Sequence, residues 1–382
     1  MKHTLFAMMA ALGVAAYSGH AQAASNYAAL DISALVDPTD FHHYFPGGLN
    51  DLGQVVGSRW DTSSGQFVGF VTGANGSGFT NLPAPVGYDY YTPFAVNNQG
   101  QMAGLARTRE NFFNPTVLKT GPNGTDPTYV AYFGQRVDLL IYMNERGQIA
   151  GTYPLSFAGD RQGFVTGANG VGLTDIGNLG GIDTIVSGLN DRGQVVGRSR
   201  VAGTDYESHA YITGPDGVGI TDLGTLGGTS SWATGINEKG QVVGGSDLSG
   251  DRTYQAFITG ANGTNMSALL VPNSLVSAAS AINDSGVVVG SYTDEGGGGG
   301  RGFITGPDGV SPTELKAFLP EGVYASAPLA INNQGQILVL ASSGRVYLLT
   351  PVPEPEVAIL ALCGLGMVAG AARRRGLVRP AV

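Results

Sequence analysis

The chain is short of the residues that carry out chemistry. It has one cysteine, Cys363, so no disulfide can form within it and its stability must come from packing and hydrogen bonding. It has five histidines, and only His42, His43 and His209 lie outside the first 23 residues. A ring of imidazole ligands repeated through the chain is therefore excluded. Charged residues make up 13%, and acidic ones outnumber basic ones by 29 to 20. Nucleic acid is excluded as a partner, because phosphate binding needs a basic surface. No G-x-S-x-G, H-E-x-x-H or phosphate-binding loop occurs. Long helices are disfavoured by 61 glycines in 382 residues, whereas many turns are favoured. Hydrophobic residues still make up 42%, enough for a packed core.

Two apolar runs stand out. Leu5 to Tyr17 follows Lys2 and His3 and precedes Ala21-Gln22-Ala23, a small-x-small cleavage pattern. Residues 1–23 therefore read as a secretory signal, cleaved after Ala23. The run is short of the ~20 residues that a membrane span needs. The second run, Val357 to Ala372, is uncharged; it follows Val352-Pro353-Glu354-Pro355 and ends at Arg373-Arg374-Arg375. As a helix it would be about 24 Å long, with the arginines on the cytoplasmic side. This reads as a stop: the body crosses the inner membrane and the tail holds in it. Without Lys2, the four tail arginines, Glu354 and Glu356, the body carries 15 basic and 27 acidic residues, a balance that favours solubility.

A phrase recurs seven times between these ends, as in GLNDLGQVVG at 48–57, GLNDRGQVVG at 188–197 and AINDSGVVVG at 281–290. Its asparagines are Asn50, Asn97, Asn144, Asn190, Asn237, Asn283 and Asn332, spaced by 47, 47, 46, 47, 46 and 49 residues. The insertion Gly296 to Gly300 lengthens the last interval. The phrase reads as a hairpin: Asn starts the turn and Gly takes the left-handed position of a G1 bulge. These residues are expected to be turn chemistry, not ligands. A third strand follows in each repeat, as in GFVTG at 69–73 and AYITG at 210–214, then a tight turn and a short fourth strand. Four strands per ~47 residues is the period of a propeller blade. The last repeat stops at its third strand, and the body opens with a lone fourth-type strand, Tyr27 to Ile32. The expected fold is an all-β seven-bladed β-propeller over residues 24–350, closed by that strand. A C-terminal transmembrane sorting helix is expected within 351–382. An open solenoid would need caps at its ends.

Binding sites are expected on one rim. The N-x-x-G and Asn-Gly or Asp-Gly turns share a rim. The connections between second and third strands, and between blades, share the other and differ most among repeats. Variable loops on a rigid scaffold are where binding usually lives. The variable rim is therefore the expected ligand face, with the central depression as its focus. His42-His43, near Asp37 and Asp40, suggest a metal, but adjacent loop histidines point apart more easily than they converge. Asp247 and Asp251 lack a D-x-D-x-D-G calcium loop. Trp60, Trp232, Tyr90 and Tyr91 are available to stack on sugars or to pack in the core. No metal, cofactor or catalytic residue is assigned.

The tail order of Pro-Glu-Pro, apolar run and arginine cluster resembles the PEP-CTERM sorting signal of Gram-negative bacteria, over about residues 352–375. The resemblance implies processing by the membrane protease exosortase and an association with exopolysaccharide and biofilm. The repeats resemble the HAF family of extracellular bacterial repeats over about 27–350. Ser208-His209-Ala210-Tyr211 and the run Asp222 to Gly228 carry that likeness, and Asp175 to Gly181 is a weaker copy. The family's histidine survives only as His209; its equivalents are Val68, Pro115, Gln162, Gln255, Arg301 and Arg345. The expected function is an extracellular, non-catalytic module that binds polysaccharide or a surface protein. A propeller lyase or hydrolase and a purely structural matrix protein are the alternatives.

Overall fold

The computed structural model describes residues 26–36, 44–61, 63–134, 140–155, 160–204, 206–250, 253–294, 300–315, 319 and 323–352. Their strands form seven four-stranded antiparallel sheets, a seven-bladed β-propeller. The compact unit is Ala29–Thr350. The rest, Met1–Ala28 and Pro351–Val382, makes a second unit whose described residues are only 26–28, 351 and 352.

Blades 1 to 6 each use four consecutive strands. Blade 4, for example, is Gly180–Leu189, Val195–Val201, Ser208–Thr213 and Ile220–Asp222. Blade 7 takes Ala325–Ile331, Ile337–Ala341 and Val346–Val352 from one end of the body and Asn26–Asp31 from the other. The closure foreseen from the sequence is thus present. The Arg345 guanidinium meets Asp31 at 2.6 Å, and Val346 N–H donates to Ser33 Oγ at 2.8 Å. A short helix, Ile32–Val36, follows the closing strand, and Ile32 is fully buried against Val55 and Phe70 of blade 1.

The core consists of apolar slabs between neighbouring blades. Each slab owes its shape to the repeat. The first core position of GFVTG-like strands holds Phe70, Phe164, Tyr211, Phe257 and Phe303, all fully buried. Burying a ring of this kind contributes about 1.5–3 kcal/mol. Each of the last four lies over a glycine of its own blade's second strand. A methyl group at Gly197 would fall 1.8 Å from Ile185 O and 3.1 Å from the Tyr211 ring. At Gly244 it would fall 1.9 Å from Trp232 O. This is the physical reason for the Gly that ends each V-V-G.

The N-x-x-G turn has the expected geometry. Gly53 N–H donates to Asn50 O at 3.0 Å, Asn50 N–H donates to Gln54 O at 3.2 Å, and Gly53 sits at φ 71°. The first strands carry an unforeseen bulge just before the phrase, as between Val186 and Gly188 and between Ala233 and Gly235.

Candidate functional site

The two rims are built differently. On the tight-turn rim the two turns of blades 1, 3, 4, 5 and 6 are joined; in blade 1 Asn75 N–H donates to Leu52 O and Gly76 N–H to Gly53 O, at 2.9 and 2.8 Å. The same rim carries the central cavity, of about 200 Å³. Its lining includes the apolar residue before each motif asparagine, such as Leu49, Met143 and Ile236.

Two hydrogen-bonded belts surround this cavity. In the first, the motif asparagine ties one blade to the next. Asn237 Nδ2 donates to Asn283 O of the following blade at 3.0 Å and to Gln241 Oε1 at 2.8 Å. Its Oδ1 accepts from the backbone N–H of Lys239 and Gln241. Asn50, Asn144, Asn190, Asn283 and Asn332 make the same interblade bond, and Asn332 returns to Asn50 O. The second belt uses the next residue of the phrase. The backbone N–H of Asp51 donates to Asn98 Oδ1, that of Asn98 to the Glu145 carboxylate, and that of Glu145 to Asp191. Asp191, Glu238, Asp284 and Asn333 continue the chain, and Asn333 N–H closes it on Asp51 Oδ1 at 2.7 Å. Every blade is therefore clamped to the next by one backbone donor and one side-chain acceptor.

Five of the seven belt acceptors are carboxylates, and four of these stand in consecutive blades. Partial burial holds the Glu145 and Glu238 carboxyls above their ordinary range, and Asp191, lying between them, adds to the effect. Asn333 spaces the charges elsewhere, donating to both Asp51 and Asp284. Among the described residues no group of three or more His, Cys, Asp or Glu is arranged to hold a metal ion.

The sequence reading of these residues is corrected in one respect. The motif is more than turn chemistry, because its asparagines and the residues after them connect blades. The cavity that these residues line opens on the tight-turn rim. The signal for the second belt was present: the position after each asparagine is always Asp, Asn or Glu.

The variable rim carries loops instead of belts. In blade 2, Phe112 and Phe113 are 43% and 65% exposed and pack edge-on, with centroids 5.7 Å apart. Tyr90 meets Phe112 at 5.6 Å, and the Arg107 guanidinium lies 5.7 Å from the Phe112 centroid. Blade 4 repeats the theme, with Arg200 5.9 Å from the ring of Tyr206, which is 84% exposed. In both, an arginine near the end of the second strand faces an aromatic ring of the following loop.

Other expected residues sort clearly. Tyr91 is buried in the slab between blades 1 and 2, its hydroxyl pKa pushed up by burial, and it is not available to a ligand. Trp232 packs edge-on to Tyr254 at 5.3 Å and crowds Gly245; Trp60 packs on Phe67. His209 Nδ1 lies 2.8 Å from Asp222. Arg301 and Arg345, its equivalents in register, meet Glu314 and Asp31 of their own fourth strands. Gln162, another equivalent, donates from Nε2 to Ile176 O just past the fourth strand of blade 3. The position thus pins the outermost strand of a blade, through histidine, arginine or glutamine. Asp247 lies at the end of a second strand, and Val352 ends the third strand of blade 7. Pro353, Glu354, Pro355, Arg373, Arg374, Arg375, Ala21, Ala23, His42, His43 and Asp251 lie outside the described residues. Among those described, no helix is long and apolar enough to cross a membrane; Val357 to Ala372 lies beyond them.

No family model matches the chain, and no curated protein matches it. Solved structures do. The β-propeller domain of the Trilobed protease from Pyrococcus furiosus, with an open velcro topology, aligns over 81% of this chain and 95% of its own at TM-score 0.53 and 11% identity. An oligogalacturonate lyase in complex with manganese aligns over 88% and 96% at TM-score 0.52 and 11% identity. Acylaminoacyl peptidase from Pyrococcus horikoshii aligns over 84% of this chain and 54% of its own at TM-score 0.52 and 13% identity. At such identities the likeness establishes the propeller fold alone.

Proposed function

We propose that this protein is an exported, non-catalytic binding module that holds extracellular polysaccharide on the variable rim of its propeller. The arginine–aromatic pairs Arg107–Phe112 and Arg200–Tyr206 carry this reading. An exposed ring is a flat apolar face to which the C–H face of a sugar can stack. The guanidinium beside it stiffens the ring and offers donors to hydroxyls. Rigid aromatic anchors lose little entropy on binding, so a few suffice. The opposite rim, with its belts satisfied internally, supplies the rigid frame.

The address comes from the sequence. The signal segment 1–23 starts export, and the tail 352–375, with Val352 to Pro355 and Arg373 to Arg375, holds the body at the inner membrane until an exosortase processes it. The surface or extracellular matrix is then the site of action, and exopolysaccharide in a biofilm is the natural ligand class. The test is a glycan array with the purified propeller, wild type against Phe112→Ala/Tyr206→Ala. Retention of a polysaccharide by the wild type, lost in the variant without loss of fold, supports the reading. No retention of any glycan refutes it. Release of reducing ends or unsaturated products identifies an enzyme instead.

A further inference from the structure

We infer that the tight-turn rim carries a ligand site of its own, a cleft between blades 1 and 2 that takes a single uncharged sugar ring. The inference goes beyond the variable-rim reading above and stands without it.

Comparison of the repeats carries the argument. At four junctions the N-x-x-G turn of one blade grips the second turn of the next. Arg146 Nη1 and Gln148 Nε2 both donate to Asp216 Oδ1 at 3.0 Å. Lys239 and Gln241 meet Asp308 at 3.3 and 3.2 Å. Arg192 donates to Asn262 Oδ1 at 3.3 Å, and Gln336 donates to Asn75 Oδ1 at 3.1 Å. Between blades 1 and 2 the residues at these positions are Leu52, Gln54 and Asn123. Leu52 brings no charge and is 49% exposed. Gln54 Nε2 turns to Thr72 O of its own blade, at 3.4 Å. The exposed Asn123 amide bonds none of the described groups. The two turns of blade 2 also stand apart. A methyl group at Gly193 or Gly286 would fall 2.7 or 2.5 Å from the second turn of its blade, whereas at Gly100 it would fall 3.4 Å from Pro122. The grip is missing here, and a cleft of about 190 Å³ opens in its place.

The lining indicates the ligand. It includes the amides of Gln54, Asn98, Gln99 and Asn123 and the apolar Leu52 and Pro122, but no charged side chain. A primary amide presents a donor and an acceptor side by side, which matches the neighbouring hydroxyls of a sugar. Leu52 and Pro122 offer apolar contact to its C–H face. The volume falls below the about 300–1,000 Å³ of drug-sized sites, which limits the occupant to one ring. An anion is disfavoured, because the Asp51 carboxylate stands beside the cleft and accepts from Asn98 Nδ2 at 3.1 Å. A site this small binds weakly by itself and gains from a sugar repeated along a polymer. With the aromatic loops of the other rim engaged as well, one propeller bridges two polysaccharide chains.

The test is saturation-transfer NMR on the chain from residue 24, tail included, in a detergent without a sugar headgroup. The probes are the methyl glycosides of glucose, galactose, mannose and glucuronic acid. Leu52→Arg supplies the kind of pair that Arg192 makes with Asn262 and closes the cleft. Transfer to at least one neutral glycoside is expected, with its Kd raised at least about tenfold in Leu52→Arg at an unchanged melting temperature. Asn123→Asp, which carries the residue found at this turn in blades 4 and 6, removes the amide donor and should raise Kd at least about fivefold. Phe112→Ala/Tyr206→Ala should leave the affinity unchanged, so the two rims are tested separately. No transfer to any neutral glycoside, or unchanged affinity in a folded Leu52→Arg or Asn123→Asp chain, overturns the site. Equal binding of the glucuronide, or loss of binding in Phe112→Ala/Tyr206→Ala, overturns it too.

Discussion

Replacing Asn237 with alanine tests whether the asparagine belt is structural. The side chain is 3% exposed and makes four hydrogen bonds: two from its amide nitrogen, to Gln241 Oε1 and Asn283 O, and two accepted by its oxygen, from Lys239 N–H and Gln241 N–H. Alanine leaves all four partners without this contact. A buried polar group left unsatisfied costs about 1–3 kcal/mol, and water entering from the cavity can recover some of the four. The expected loss is therefore about 3–5 kcal/mol in urea unfolding followed by tryptophan fluorescence. Blade 6 supplies an internal control. Val287 stands there in place of the motif glutamine, so Asn283 lacks the amide-to-glutamine bond that Asn237 makes. Asn283→Ala should cost about 1 kcal/mol less than Asn237→Ala. A loss below about 0.5 kcal/mol in Asn237→Ala, or equal losses in the two, would refute the assignment of a load to the belt.

Glu145 and Glu238 have carboxyl groups raised above their ordinary value of 4.5, chiefly by burial. The stabilising contribution of such a group is complete below 4.5 and is lost as pH rises through the raised value. The melting temperature of the wild type should fall over that window, and the fall should be smaller in Glu145→Gln/Glu238→Gln. Gly244→Ala sets a methyl group against Trp232 O, and overpacking of this kind should cost about 1–3 kcal/mol or more, measured as a shifted denaturation midpoint. Arg345→Ala removes the partner of Asp31 at the closing strand, and hydrogen exchange in residues 27–31 should speed up before that in blade 4.

Much of the architecture is legible in the sequence because it repeats. Asn, Gly and the V-V-G glycine recur at one spacing, and each has a single geometric reason: a side-chain cap, a positive φ and a ring that needs its space. The missing fourth strand was equally legible, since one end of the body lacks what the other supplies. What could not be read were relations between blades. That Asn237 reaches Asn283 O, 46 residues on, follows from the curvature of the ring and not from either local pattern. The same holds for His209. Taken alone it looks like an isolated histidine, and only strand register pairs it with Asp222 and aligns it with Arg301 and Arg345. The aromatic faces of Phe112 and Tyr206 were hidden for another reason. Loops without periodicity give no exposure signal, whereas Tyr91, one residue from Tyr90, is turned inward by strand alternation.

The closing strand gives this molecule an order of assembly. The asparagine bonds that join blades 1, 3, 4, 5 and 6 to their successors span 46 to 49 residues, but within blade 7 Arg345 and Asp31 are separated by 314. Closing a flexible loop of the longer length costs about 1.7 kcal/mol more in chain entropy than closing the shorter one. Blades 1 to 6 can therefore form one by one from their own strands while the ring is still open. The first strand must wait, unpaired, until the last blade exists. Closure is thus the slow, late step, and a chain that meets a second copy before it meets its own end has an exchangeable strand to offer.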